Sequence, residues 1–299
     1  MRRALLWTAG AAVLLGLGGV AALAALQPEA PERDLAGLEG DVGRGTYVAR
    51  LAGCIACHTD AEAGGAVLAG GAPIETDHGT FRAPNITPHP EDGIGDWTLE
   101  DFARALSEGK SPEGKHYFPS FPYPFYTRLS EQEIVDLWAA VNSVPPVEGG
   151  PGPHGLKFPF GFHQGVALWN ALFFEPGPLE PVEERSEEWN RGRYLARGPA
   201  HCGACHTPRN LLGARQIDRR YQGGEGPGGS AVPDITPDAL REAGWDAGAL
   251  AYGLRTGIMP DGDVFGGAMV EVVRDGTQFW SDADLQAIAT YLMDSEVEE

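Results

Sequence analysis

Two short runs decide the fold: GCIACHT, from Gly53 to Thr59, and HCGACHT, from His201 to Thr207. They hold all four cysteines of the chain, and each reads Cys-x-x-Cys-His. Two thiols one helical turn apart can add to the two vinyl groups of a haem, and the histidine beside them can then serve as proximal ligand to the iron. A zinc site gives no reason for a histidine directly after each second cysteine, and thioredoxin-like pairs belong to βαβ settings that this sequence lacks. The spacing therefore predicts two covalently bound haem c groups, attached through Cys54 and Cys57 and through Cys202 and Cys205, with His58 and His206 as metal ligands.

The likeness of the two halves extends well past the cysteines. RGTYVARLAGCIACHT, from Arg44, returns as RGRYLARGPAHCGACHT, from Arg191. NITP at Asn85 returns as DITP at Asp234, and ALSEGKSPEGK at Ala105 as GLRTGIMPDGD at Gly253. LSEQEIVDLWAAV, from Leu129, matches WSDADLQAIATYL, from Trp280. The last pair reads as two helices, with Ser130 and Glu133, and Ser281 and Asp284, at capping-box spacing. Apolar residues follow at helical intervals, Ile134, Leu137, Trp138 and Val141 in one and Leu285, Ile288, Ala289 and Leu292 in the other. Each half thus has a helix leading into the attachment motif, a turn-rich stretch, a middle helix near Trp97 or Trp245, and a capped last helix. That order resembles the class I cytochrome c fold, so the expected fold class is all-α, with two tandem, duplicated domains of that kind.

In such a fold the loop before the last helix brings a distal ligand to the iron, usually methionine. The chain has four methionines, at 1, 259, 269 and 293. Met1 lies on the wrong side of a membrane segment and Met293 ends the last helix. Cys54 and Cys202 are 148 residues apart, as are the two SEGKSPEGK-like loops, and this offset pairs Met269 with Phe121 and Met259 with Ser111. Met269 is therefore the expected ligand of the second iron, with Met259 as the alternative. Phe121 cannot coordinate iron. It stands in HYFPSFPYPFY, from His116 to Tyr126, whose rings are expected to wall the first porphyrin. For the sixth position of the first iron His116, His89 or His78, a donor such as Lys110, Lys115 or a tyrosine, and no protein ligand all stay open.

The remainder bounds location and partners. The 299 residues carry a formal charge of -20, which argues against a nucleic-acid partner. Arg2 and Arg3 precede 23 uncharged, mostly apolar residues, Ala4 to Leu26, long enough as a helix to cross a bilayer core of roughly 30 Å. The expected arrangement is an N-terminal transmembrane helix or signal anchor over 1–27, a linker over 28–39, a first haem domain over 40–147, an interdomain segment with an apolar helix over 148–187, and a second haem domain over 188–297. The positive residues would stay inside, leaving a single-pass protein of the inner membrane with its haem domains on the periplasmic side.

With HYFPSFPYPFYTRLSEQEIVDL from His116, GVALWNALFFEPGPLEPVEERSEEWNRGRYLARGPAHCGACHTPRNLLGA from Gly165 and GGAMVEVVRDGTQFWSDADLQAIATYL from Gly266 in view, the chain resembles a known group. It is similar to the cytochrome c subunits of membrane-bound alcohol and gluconate dehydrogenases and to related diheme cytochromes. The resemblance implies an electron carrier rather than a catalyst by itself, taking electrons from an exported dehydrogenase and passing them to an oxidase or another cytochrome. A haem enzyme of peroxidase or thiosulfate-oxidising type and a haem-based ligand-binding module are the alternatives. Two departures from the group stand out: members often have three haem domains, and members with a methionine before the Pro-Tyr of the first distal loop have Phe121 at that position here. Since each small core depends on its porphyrin, expression without the cytochrome c maturation machinery should give degraded, unfolded chain; a stable haem-free helical protein, seen by circular dichroism, is the contrary result.

Overall fold

A computed structural model of the chain describes residues 28–158 and 160–295, together with Gly19. The first and last helices of each half, and its middle helix, begin where the sequence supplies a side-chain acceptor for the free amides of the first turn. In the first half Asp41 accepts from the Arg44 amide and opens α1 (Val42–Leu51), which leads through Gly53, at φ 69°, into α2 (Cys54–His58). The turn-rich stretch that follows folds back as β1 (Ile74–Thr76) against β2 (Gly79–Phe81). Thr98 and Asp101 make a full capping box for α3 (Leu99–Glu108), and the aromatic loop winds into the single turn α4 (Tyr123–Tyr126). Ser130 and Glu133 then cap α5 (Glu131–Asn142).

The interdomain stretch adds β3 (Gly155–Leu156) to the edge of β2 and forms α6 (His163–Phe173). The second half repeats the plan with α7 (Glu187–Arg197), α8 (Gly203–His206), the small pair β4 (Gly224–Glu225) and β5 (Ala231–Val232), α9 (Pro237–Glu242), α10 (Ala247–Thr256), α11 (Ala268–Asp275) and α12 (Asp282–Met293). The 148-residue offset persists in the backbone. Tyr117 donates to the Gly109 carbonyl at 2.7 Å and Phe265 to that of Gly257 at 2.8 Å; Ser111 donates to Lys115 and Met259 to Asp263, both at 2.8 Å.

In each half the first helix lies across the last, α1 on α5 and α7 on α12. Glycine sits at both crossings. A Cβ on Gly45 would lie 1.8 Å from the Asp136 carbonyl oxygen, and one on Gly192 would lie 1.9 Å from that of Ala287. One apolar cluster gathers Val48, Leu68, Phe102, Leu106, Ile134 and Leu137. A second gathers Trp189, Leu195, Tyr221, Leu250, Leu285 and Ile288, and it also takes in Leu51 from α1, so the two cores meet.

Reciprocal polar contacts hold the halves together. The Tyr47 hydroxyl donates to Asp284 at 2.7 Å, while Tyr194, its repeat counterpart, donates to Glu133. Ser281 caps α12 as expected, but the Asp284 carboxylate does not return the bond. It accepts instead from Tyr47 and, at 2.8 and 3.0 Å, from Arg191. Arg50 adds its guanidinium 3.6 Å above the Phe279 ring.

Two expectations are corrected. The fold is not purely all-α, because the stretches between the attachment helices and the middle helices, joined in the first half by β3, pair into short antiparallel strands, each too brief to show an alternating pattern in sequence. Nor does the structure support an N-terminal transmembrane helix, membrane attachment through it, or a single-pass place in the inner membrane: among the described residues no helix is long and apolar enough to cross a membrane. The apolar α6 has 11 residues and rises about 16 Å, roughly half a bilayer core. The run from Ala4 to Leu26, apart from Gly19, lies outside the described residues.

The crossings and the shared carboxylate make two predictions. Alanine in place of glycine in a free helix gains about 1 kcal/mol. At Gly45 or Gly192 the contact with backbone should reverse the sign and cost about 3 kcal/mol, measured by denaturant unfolding of the haem-loaded protein. Burial alone would raise the Asp284 carboxyl, but hydrogen bonds from Arg191 and Tyr47 outweigh it, so the folded value lies below the usual one. A depressed carboxyl contributes stability that is complete above its unfolded value of about 3.9 and is lost as pH falls through the folded value. Asp284→Asn should therefore lower stability near neutral pH and flatten the decline below pH of about 4.

Candidate functional site

Both attachment motifs sit on single helical turns entered through a left-handed residue. Gly53 provides it for α2, and His201, at φ 39°, provides it for α8. The helical spacing sets the first and second cysteine of each motif one turn apart, and all four thiols are free. Burial, helped by the second cysteine of each motif, pushes the Cys54 and Cys202 thiols up to about 12. Thiols raised in this way lack the lowered value that a redox pair needs.

The histidines are aimed by backbone. His58 Nδ1 lies 2.7 Å from the Pro84 carbonyl oxygen and His206 Nδ1 lies 2.9 Å from that of Pro233. A carbonyl can only accept, so the proton is on Nδ1 and the lone pair on Nε2. Burial holds both rings neutral, lowering their affinity for a second proton more than the carbonyls raise it. A neutral imidazole with its outer nitrogen tied and its inner one free is the donor that a haem iron takes, so both sites fit the group that the motifs imply.

Met269 is on α11, half-buried against the second apolar cluster. Met259 is in the tight turn closed by Asp263 and is not among the residues packed on that cluster. Phe121 packs on the first cluster with its ring 5.6 Å from that of Tyr117 and 5.7 Å from that of Tyr126. His116 is half-buried and receives a bond from Asn170 on α6 at 3.3 Å, while the Asn170 oxygen accepts from Tyr123. His78 stacks on Phe160 at 4.1 Å, His89 turns to Asp92, and Lys110 pairs with Glu108 at 2.8 Å. Much of the aromatic loop therefore packs on α6. Phe118 meets His163 at 4.5 Å and Tyr123 meets Phe174 at 5.2 Å. Through Trp169, which donates to the Leu212 carbonyl at 3.1 Å, the same helix reaches the loop after the second motif.

The two motifs also meet one another. The His201 ring touches the first motif: its Cε1 lies 3.5 Å from where a Cβ on Gly53 would be, and it meets the Tyr126 ring edge-on at 5.9 Å. Its Nδ1 is tied to the Pro199 carbonyl at 2.7 Å. His201 is a site residue that motif reading missed; its only trace in the sequence is its place directly before Cys202.

No family model matches the chain. It is 44% identical over 298 residues to a diheme cytochrome c-type protein of Cereibacter sphaeroides, covering 98% of each chain. It is 38% identical over 266 residues to the cytochrome c subunit of a quinone alcohol dehydrogenase of Gluconobacter oxydans, covering 85% of this chain and 54% of that one. With the fructose dehydrogenase cytochrome subunit of Gluconobacter japonicus it shares 37% over 254 residues, 84% of this chain and 52% of the relative. The chain spans about half the length of these dehydrogenase subunits. Likeness over nearly the whole of both chains, joined to two attachment motifs with carbonyl-tied histidines, makes this chain a member of the diheme c-type cytochromes, an electron-transfer protein with two covalently bound haem c groups.

Proposed function

We propose that this cytochrome relays electrons singly, on the periplasmic side, from an exported dehydrogenase to the respiratory chain through an oxidase or another cytochrome. A haem c supplies a site that gains or loses one electron without making or breaking a bond. In this reading Cys54 and Cys57 form the thioethers of the first group and His58 its proximal ligand. Cys202 and Cys205 attach the second, held by His206 and Met269. Residues 40–147 and 188–297 act as the two haem domains, with 148–187 as the brace between them.

The observation that carries the reading is the approach of the two motifs, with the His201 ring of the second against Gly53 and Tyr126 of the first half, because a relay needs its two stations close and rigidly held. The names of the relatives, subunits of alcohol and fructose dehydrogenases, support a dehydrogenase as donor. Tyr47, Tyr194 and Arg50 keep the halves from sliding, and the carbonyls of Pro84 and Pro233 keep each imidazole in one orientation through a change of iron charge.

A soft thioether favours the reduced iron, and the first half has Phe121 where the second has Met269. A redox titration followed by absorbance should resolve two steps, with the upper step at the second haem. Met269→Leu should abolish the iron-to-thioether absorption band and lower the upper step, and Phe121→Met should raise the lower one. A single shared step in the wild type, or a thioether band that survives Met269→Leu, would overturn the assignment.

A further inference from the structure

The two attachment helices lie in opposite electrostatic surroundings. After the second motif the chain reads TPRNLLGAR, and after the first TDAEAGGAV. Arg209 folds back so that its guanidinium donates to the Ala204 carbonyl, inside α8, at 2.8 Å and to the Gly213 carbonyl at 2.7 Å. Its bonds are thus to backbone, not to a carboxylate. Arg215 lies 4.1 Å above the Phe125 ring, and its Nη1 is 3.9 Å from where a Cβ on Gly203 of α8 would be. Burial, then Arg209, Arg220 and Arg128, bring Arg215 down to about 10, which leaves it charged at neutral pH. Asp234, whose charge acts on His206, has its carboxylate engaged by Thr236 at 2.8 and 2.6 Å.

The first helix faces acids instead. Helix α11, which carries Glu271, packs on α2, and the Glu271 charge adds to burial in raising the Cys57 thiol. Arg274, on the same helix, is claimed by Asp275 at 2.6 Å and is further surrounded by Glu271 and Glu62. The distal segment of one half therefore contributes a negative charge to the attachment site of the other. In a chain of charge -20 the placing of two guanidinium groups at α8, one of them bonded to its backbone, stands against the acids at α2.

We propose that Arg209 and Arg215 raise the reduction potential of the second haem, and that Glu271 lowers that of the first, so that fixed charge as well as axial ligation collects electrons at Cys202, Cys205 and His206. An added electron is stabilised by a nearby cation and opposed by a nearby anion, and the effect is large where water is scarce. This rests on the relay reading above and adds a cause that does not depend on which group ligates the first iron.

The test is a spectroscopic redox titration of the haem-loaded protein. Arg209→Gln should lower the upper step alone, cutting the reduced-to-oxidised ratio of the second haem severalfold at a fixed applied potential, with the thioether band unchanged. Because Arg209 is exposed, this shift should shrink at high salt, whereas that of the half-buried Arg215→Gln should persist. Arg215→Lys, which keeps the charge, should restore the wild-type step if Arg215→Gln folds poorly. Glu271→Gln should raise the lower step. Unmoved steps in Arg209→Gln and Glu271→Gln, with normal spectra and stability, would overturn the inference while leaving the relay intact. A wild-type single step would overturn the relay's order, and the direction of each variant's shift would still decide the electrostatic claim.

Discussion

Each half depends on one hydrogen bond, from a histidine ring to a proline carbonyl. His58 and His206 each close a helix of one turn that could not hold its shape alone, since helices so short are unstable in water. The carbonyls of Pro84 and Pro233 fix ring, proton and lone pair together. They in turn belong to segments pinned elsewhere: Asn85, next to Pro84, donates to the Val147 and Gly149 carbonyls at 2.7 and 2.8 Å, tying the histidine clamp to the end of the domain. Each ring is thereby held by the tertiary fold rather than by its own helix.

The same economy joins the halves. The carboxylates at the third positions of the two last helices would ordinarily satisfy their own helix starts. Glu133 does so and also receives Tyr194, whereas Asp284 gives up its cap to hold Tyr47 and Arg191. Leu51 crosses into the second core. Relative motion of the two halves would have to break polar and apolar contacts at once.

Much of this could be read from sequence because it is governed by spacing. The cysteine pairs, the capping serines and the 148-residue offset are local or periodic, and the matching bonds at Tyr117 and Phe265 follow from them. Long-range pairings left no such pattern. Strands of two or three residues carry no alternation, and nothing in Asp284 announces that it will prefer Tyr47 to its own helix. The aromatic loop was legible as a packed surface, but its partnership with Asn170 and Phe174 of the interdomain segment depends on how that segment returns across the first half. Charge was visible residue by residue, while its meaning came only when Arg209 was seen to fold onto Ala204 and α11 to lie on α2.

Tyr47 and Tyr194 occupy one position of the repeat, and so do Glu133 and Asp284. Each tyrosine reaches the carboxylate of the opposite half. A residue that contacts its opposite number's partner, and is contacted in return, is the mark of a two-fold isologous interface. The junction therefore has the form of a homodimer interface retained within one polypeptide. Once two copies share a chain, their pairing no longer varies with concentration, and the two positions are free to diverge, as the glutamate and the aspartate already have.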